Sequence, residues 1–264
     1  MENKEEHQAE EELVVLKKEE LEEEKIEAAI PRGQFNKESW KPKTSLGLKV
    51  KSGEINSIEY ILDNRLKILE HEIVDALIPN LIVDLLLVGQ SKGKFGGGQR
   101  RVFRQTQKKT EEGNKPRFGT FAVIGNGNGY VGIGYGKSKE TVPAREKAIR
   151  NAKKNIIKIL RGCGSWKCSC KTAHSVPFTV EGKCGSVVLK LMPAPRGTGL
   201  CIENECAKLL RIAGIKDVWS QASGQTRTKT NLVYACFDAL RKLIEVKLQE
   251  ETIRNLGVIE GRIG

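Results

Sequence analysis

The run Gly125-Asn-Gly-Asn-Gly-Tyr-Val-Gly-Ile-Gly-Tyr-Gly-Lys-Ser-Lys-Glu140 stands where strand spacing gives way to helical spacing. Before it, Arg117 to Ile124 reads as a strand. Within it, glycine and asparagine at 125–129 supply the positive φ angles of a tight hairpin, so Tyr130 to Tyr135 is expected to return as the next strand. After it, Ser138 is placed to cap a helix reaching about Leu160. Val142, Ile149, Ala152, Ile156 and Leu160 share one face of that helix, and Arg145, Arg150, Lys153, Lys154 and Lys158 lie largely off it.

Upstream of the hairpin, Leu85 to Gln90 and Val102 to Lys108 read as two more strands around the basic glycine loop Ser91 to Arg101. Residues 85–160 therefore form a sheet packed by one helix, with basic loops at one edge. Downstream, 161–175 is a connector rich in Cys and Gly. Residues 176–247 follow as a second α+β domain in the order β-β-α-β-α, with its first helix closed by Gly214 and its last carrying Leu232, Ala235, Ala239, Leu240 and Leu243 on one face. Residues 248–264 read as a charged tail, 1–28 as an acidic extension, and 29–84 as an adaptor. Within the adaptor, Ser57 opens one short helix, and a second runs from about Glu72 until Pro79 stops it.

Charge is distributed unevenly. The chain of 264 residues carries a net +12. Residues 1–28 hold twelve Glu and four Lys, whereas Lys92 to Arg161 holds 18 Lys or Arg against four Glu. Charge of one sign at that density repels itself unless a polyanion neutralises it. A lysine-rich solvated surface is the plainer alternative, but this stretch also carries strand and helix patterning. The longest apolar run, Leu81 to Val88, is interrupted by Asp84 and is too short to span a bilayer. The acidic start is neither a secretory signal nor an Arg-rich transit peptide, so the cytoplasm is the expected compartment.

No catalytic constellation is evident. Three His occur, without a His-Glu-x-x-His pattern or a Walker motif. Gly127-x-Gly129-x-x-Gly132 formally matches a dinucleotide fingerprint, but it lies in a hairpin rather than at a strand-to-helix turn and lacks a helix N-terminus for phosphate. Pro193 to Leu200 is a Gly-rich loop before a helix, as in small-molecule kinases of the galactokinase type. Thr198 is its only hydroxyl, and ATP binding is expected to be absent. Seven Cys is an odd number without secretory context, so reduced thiols are expected. Cys163, Cys168, Cys170 and His174 offer the donor set of a structural zinc site; thiols packed into a tight connector are the alternative, because Cys-x-Cys is an unusual zinc spacing. No cofactor is required by anything else in the chain.

Gly125 to Glu140, running on into Pro143-Ala-Arg-Glu-Lys-Ala148, closely resembles the first half of the universal small-subunit ribosomal protein five (the S-five family). Pro193-Ala-Pro-Arg-Gly-Thr-Gly199 and Ala213-Gly-Ile-Lys-Asp-Val-Trp219 resemble its second half. Trp40-Lys-Pro-Lys-Thr-Ser-Leu-Gly47 and the connector Cys163-Gly-Ser-Trp-Lys-Cys168 resemble the archaeal form. The match covers roughly residues 40 to 245, in order. It implies an N-terminal domain similar to double-stranded RNA-binding folds and a C-terminal βαβα sandwich. It implies small-subunit ribosomal RNA as partner, with small-subunit proteins four and eight as neighbours and the mRNA entrance nearby, and an influence on decoding accuracy. A structural constituent of the ribosome is expected, not an enzyme; a free-standing double-stranded RNA-binding regulator is the alternative. The stretch Gln99 to Lys115 is longer than in the bacterial pattern.

A-form RNA is bound largely through phosphates, 2′-hydroxyls and shape, which calls for flexible cations on a rigid scaffold and glycines that let amides approach phosphate. Lys92, Lys94, Gly96, Gly97, Gly98, Arg100 and Arg101 have that composition. Arg104, Lys108, Lys109, Lys115 and Arg117 extend the stripe. Lys137 and Lys139 stand at the entry to the long helix, Arg145, Arg150, Lys153 and Lys154 follow along it, and Arg196 sits between Pro195 and Gly197.

Overall fold

The structure, a computed structural model, describes residues 40–78, 80–91, 99–168 and 170–261. The acidic extension, Pro79 and the loop residues Lys92 to Gly98 lie outside the described residues. Three short helices come first, α1 (Ser45–Ser52), α2 (Ile58–Asp63) and α3 (Glu72–Leu77). Thr44 and Ser57 cap α1 and α2 by accepting from the amides of Gly47 and Glu59.

Five strands make the first sheet: β1 (Ile82–Leu86), β2 (Arg104–Thr110), β3 (Gly113–Gly125), β4 (Tyr130–Ser138) and β5 (Ile156–Lys158). On one edge of β3, β4 pairs from Phe118 to Gly125. On the other, β1 takes Phe121 to Gly125 and β2 takes Gly113 to Gly119. The first half of β3 therefore pairs with β2 alone, as a two-stranded ribbon that leaves the body of the sheet. The stretch 99–115 supplies most of it.

Helix α4 (Thr141–Lys154) is shorter than its sequence suggests at both ends. Glu140, not Ser138, precedes it, and makes no side-chain cap. The helix ends before Ile156-Ile157, β-branched residues that join the sheet beside β4 as β5. Its buried face is Ala144, Ala148 and Ala152, whereas Val142 is 64% exposed. The reason lies in β4. Gly132, Gly134 and Gly136 alternate toward the helix, and a Cβ on Gly134 would sit 2.2 Å from the Ala152 nitrogen and 2.3 Å from the Ala148 oxygen. One on Gly136 would sit 2.1 Å from the Ala144 oxygen. The backbones approach so closely that only glycine opposite alanine fits, which leaves no room for the large apolar face that periodicity suggests.

A two-residue strand β6 (Leu160–Arg161) opens the connector, and the second sheet follows with β7 (Val180–Cys184), β8 (Val187–Pro193) and β9 (Leu200–Cys201). Next come α5 (Asn204–Ala213), β10 (Val218–Ser223) and α6 (Lys229–Glu245). The sheet order is β7-β8-β10-β9, with β10 antiparallel to β8 and parallel to β9. Gly214 closes α5 in the left-handed conformation at φ 86°, as expected. The architecture is mixed α+β, and residues from Trp40 onward cluster as one unit.

The hairpin turn joins the two sheets. Amides of Gly127 and Gly129 donate to the carbonyls of Ile212 and Ala213, at 2.9 and 3.1 Å, and so satisfy orphan acceptors at the C-terminus of α5. One apolar cluster then runs from Leu86, Phe121, Val123, Val131 and Ile133 of the first sheet to Leu189, Leu191, Leu209 and Leu240 of the second half.

Residues 248–261, read above as a charged tail, are folded. Helix α7 (Glu250–Leu256) turns at Gly257, and β11 (Ile259–Glu260) pairs with β6. Half-buried Leu248 and Val258 supply apolar contact that the charge count obscures. The Lys158 ammonium meets Asp63 and Glu260. Burial opposes its charge, but the two carboxylates together outweigh that and raise its pKa. Buried Arg161 donates to Asn128 Oδ1 at 2.8 Å and to the Gly261 carbonyl at 3.0 Å.

Replacing Gly134 with Ala is expected to lower the unfolding free energy by about 1–3 kcal/mol, as overpacking does. Urea denaturation measures it, with Lys109→Ala, on the exposed ribbon, expected to stay within about 0.5 kcal/mol of the parent.

Candidate nucleic-acid interface

Strand alternation decides where the ribbon's cations point. Thr106 pairs with Arg117, Lys108 with Lys115, and Arg104 with Gly119. Directly opposed residues share a face, as do residues two apart. Arg104, Lys108, Lys115 and Arg117 therefore occupy one face of the ribbon, all exposed, and Lys109 stands on the other opposite Asn114. Lys137 pairs with Gly119 from the β4 side and extends the cationic face into the sheet. Like charges directly opposed across a ladder destabilise it by a few tenths to about 1 kcal/mol. Glu112 at the turn pairs with Lys115 and offsets part of this. A phosphate chain along the face would offset the rest.

The glycine loop leaves the sheet through a narrow neck. The Gly89 amide donates to the Arg101 carbonyl at 2.7 Å and the Arg101 amide to Gln90 at 2.9 Å, and Ser91 bridges Arg100. A Cβ on Gly89 would lie 2.3 Å from the Phe103 carbonyl, so glycine is obligatory there. Lys92, Lys94, Gly96, Gly97 and Gly98 lie outside the described residues. Arg101 is exposed, and half-buried Arg100 donates to the Arg227 carbonyl at 3.3 Å. That bond brings Arg227, exposed in the loop before α6, beside the neck. Nothing in the local sequence ties Arg227 to residues so far upstream. A cleft of about 250 Å³ beside the base of the ribbon is lined by Val88, Arg104, Phe121 and Tyr135 on one side and by Thr230, Asn231 and Tyr234 of α6 on the other. The Phe121 ring is 4.8 Å from Tyr135 and 5.3 Å from Tyr234, and Tyr135 is 37% exposed beside the cations.

The basic residues of α4 do not continue this surface. The helix packs on the glycine face of β4, the opposite side of the sheet from Lys137 and Tyr135. Lys153 is half-buried and tied to Asp75 of α3 at 2.7 Å, so it serves the fold. Arg150 pairs with Glu146 at 3.1 Å. Arg145 is half-buried, and Lys154 is exposed, as is Lys139 at the helix entry. The basic residues singled out in the sequence thus divide between a ribbon-and-neck surface and a separate helix face. Arg196 is exposed on a third element, the loop before β9, where Gly197 and Gly199 have φ of 90° and 74°.

The four zinc-type donors of the connector are close together: one ligand atom each from Cys163, Cys168, Cys170 and His174 lies within 4.8 Å of the others. Burial pushes the Cys163 thiol up to about 11, and the Thr172 hydroxyl, 3.1 Å from Cys170 Sγ, brings Cys170 down to about 6. The remaining cysteines, Cys184, Cys201, Cys206 and Cys236, are free thiols outside this group. The formal dinucleotide fingerprint lies in the β3–β4 hairpin, as expected, with Asn126 Oδ1 accepting from the amides of Asn128 and Tyr130. Among the described residues no helix is long and apolar enough to cross a membrane.

Fold and surface together define an α+β protein that carries an exposed cationic ribbon. Residues 102–160 match the family model described as ribosomal protein S5, N-terminal domain, and residues 182–252 match ribosomal protein S5, C-terminal domain. The chain is 50% identical over 228 residues to the small ribosomal subunit protein uS5 of Nanoarchaeum equitans, an alignment spanning 86% of this chain and 98% of that protein. It is 46% identical over 233 residues to the protein of the same name from Methanocaldococcus jannaschii, spanning 87% of this chain and 99% of the relative. The chain belongs to the ribosomal protein S5 family.

Replacing both Lys108 and Lys115 with Ala is expected to weaken binding to ribosomal RNA and to flatten the plot of log K against log salt by about 1.4–1.8 in slope, two phosphate contacts' worth. Lys153→Ala is expected to leave that slope unchanged while lowering stability by about 1–3 kcal/mol. Filter binding across a salt series, together with urea melts, separates the two.

Proposed function

We infer that this chain is a structural constituent of the small ribosomal subunit that binds small-subunit ribosomal RNA and catalyses no reaction itself. The observation that carries this is the ribbon face of Arg104, Lys108, Lys115 and Arg117, where Lys108 and Lys115 are opposed with no core beneath them. A ladder built in that way favours an anion lying along it. Family membership supplies the anion: relatives aligned over nearly their whole length are named as small-subunit proteins.

Binding proceeds by positioning. The β3–β4 body and α4 form a rigid base, the ribbon and neck carry cations outward from it, and flexible Lys and Arg side chains meet phosphates without reading base identity. The aromatic cleft beside Arg104 offers Tyr135 as a surface on which an unpaired base can stack. On the family resemblance we assign the chain a cytoplasmic place in the ribosome, on the subunit's shoulder near the mRNA entrance. Small-subunit proteins four and eight are its neighbours there, and its rigidity supports decoding accuracy.

Sedimentation of a lysate through sucrose, before and after a high-salt wash, tests this. Co-migration with the small subunit that survives the wash is the expected result. A chain left at the top of the gradient returns the reading to a free RNA-binding regulator. The double substitution Arg100→Glu, Arg101→Glu is expected to reduce RNA affinity by about 2 kcal/mol or more and to deplete the chain from subunits.

A further inference from the structure

The connector between the two sheets contains a cluster that RNA binding does not use. Cys163 and His174 are buried and Cys168 and Cys170 half-buried, with their ligand atoms within 4.8 Å of one another. Around a tetrahedral zinc ion with bonds of about 2.0–2.3 Å, such donors stand about 3.5–3.8 Å apart. Small side-chain rotations therefore close all four on one ion. Three thiolates and one imidazole are a soft, closed donor set that suits zinc rather than magnesium or calcium.

The orientation of His174 is a second and independent sign. Its Nδ1 lies 2.8 Å from Asp217 Oδ2, with both side chains 6% exposed. A carboxylate there accepts the Nδ1 proton, which leaves the Nε2 lone pair directed at the thiols, 3.9 Å from Cys168 Sγ. Metal-bound histidines are oriented in this way by a carboxylate behind the ring. The backbone agrees. Lys171, immediately after Cys170, is held at φ 51°, a left-handed conformation costly for a residue with a Cβ.

Asp217 also reaches further. Its Oδ1 accepts the amides of Gly197 at 3.1 Å and Gly199 at 2.8 Å, the two left-handed glycines that shape the Arg196 loop. We propose that Cys163, Cys168, Cys170 and His174 bind one structural Zn²⁺, that Asp217 orients His174 for it, and that the ion thereby fixes the Arg196 loop against the connector. In the bound state all three cysteines are thiolates, any thiol protons still present pass to solvent, and no redox change occurs. The resulting site carries one net negative charge, with Lys167 and Lys171 adjacent in the chain to offset it.

Full-length protein purified under reducing conditions, with metal content measured by plasma mass spectrometry, tests the proposal. About one zinc per chain is expected, retained through gel filtration, lost in Cys168→Ser and kept in Cys201→Ser, whose exposed thiol is not among the four donors. Cobalt exchanged into the parent protein is expected to show the visible spectrum of a tetrahedral sulfur-ligated ion. Removing zinc from the parent with a chelator is expected to speed hydrogen exchange at the Gly197 and Gly199 amides. Parent protein free of zinc, a disulfide among the three cysteines in its place, or a six-coordinate cobalt spectrum would overturn the metal site. Unchanged exchange at the two glycines on zinc removal would overturn the link to the loop. Sedimentation with the ribosome is independent of each of these outcomes.

Discussion

The close contact between α4 and β4 sets the terms for everything built around it. Gly132, Gly134 and Gly136 lie against Ala144, Ala148 and Ala152 with no side chain between the two backbones. A helix this near the strand covers one face of the sheet with little volume, and dispersion between the backbones takes the place of large interdigitating side chains. The larger apolar residues of the first sheet, Phe121, Val123, Val131 and Ile133, then point to the other face and need a partner there. The second half provides it. The same device recurs where a Cβ on Gly182 of β7 would sit 2.0 Å from the Ala235 carbonyl of α6.

With both faces of its sheet covered, the first half has its cations displaced to whatever protrudes. The ribbon, the neck of the glycine loop and the outer side of α4 are what remain. The electrostatics divide accordingly. Cations next to the body acquire partners within the fold, Lys153 with Asp75 and Lys158 with Asp63 and Glu260. Those on the ribbon have a single carboxylate turn among them. Net charge along the chain is therefore a poor guide to which cations are available, and the register of two strands is a good one.

Much of this was legible in the chain. The glycine–asparagine hairpin, the closing Gly214 and the basic character of 92–161 follow from local rules, as does the β-β-α-β-α order apart from the two-residue β9 before α5, while β1 begins at Ile82 rather than Leu85. What escaped is instructive. Helix α4 was drawn too long because Ile156 and Leu160 continue its period, although β-branched Ile156-Ile157 and the glycines of β4 carry the contrary signal. One side of the ribbon was legible, as the strand Val102 to Lys108, but its return from Gly113 to Pro116 was hidden, because that segment has no apolar alternation and a strand without a buried face leaves no period to detect. Arg227 joins the neck through a hydrogen bond across 127 positions, which no local pattern can register. The connector's donors were visible as letters, but Asp217 behind His174, across 43 positions, was not.

The pairing of β11 with β6 has a bearing on folding order. It closes a loop in which Arg161 and Gly261 are 100 positions apart, and the entropy of such a closure is met only after both halves have ordered the segments between. Contact order therefore favours the local β3–β4 hairpin early and the clasp over the connector late. An interaction that forms late acts mainly on the rate of unfolding, which suits the clasp to the part of a latch between the two sheets.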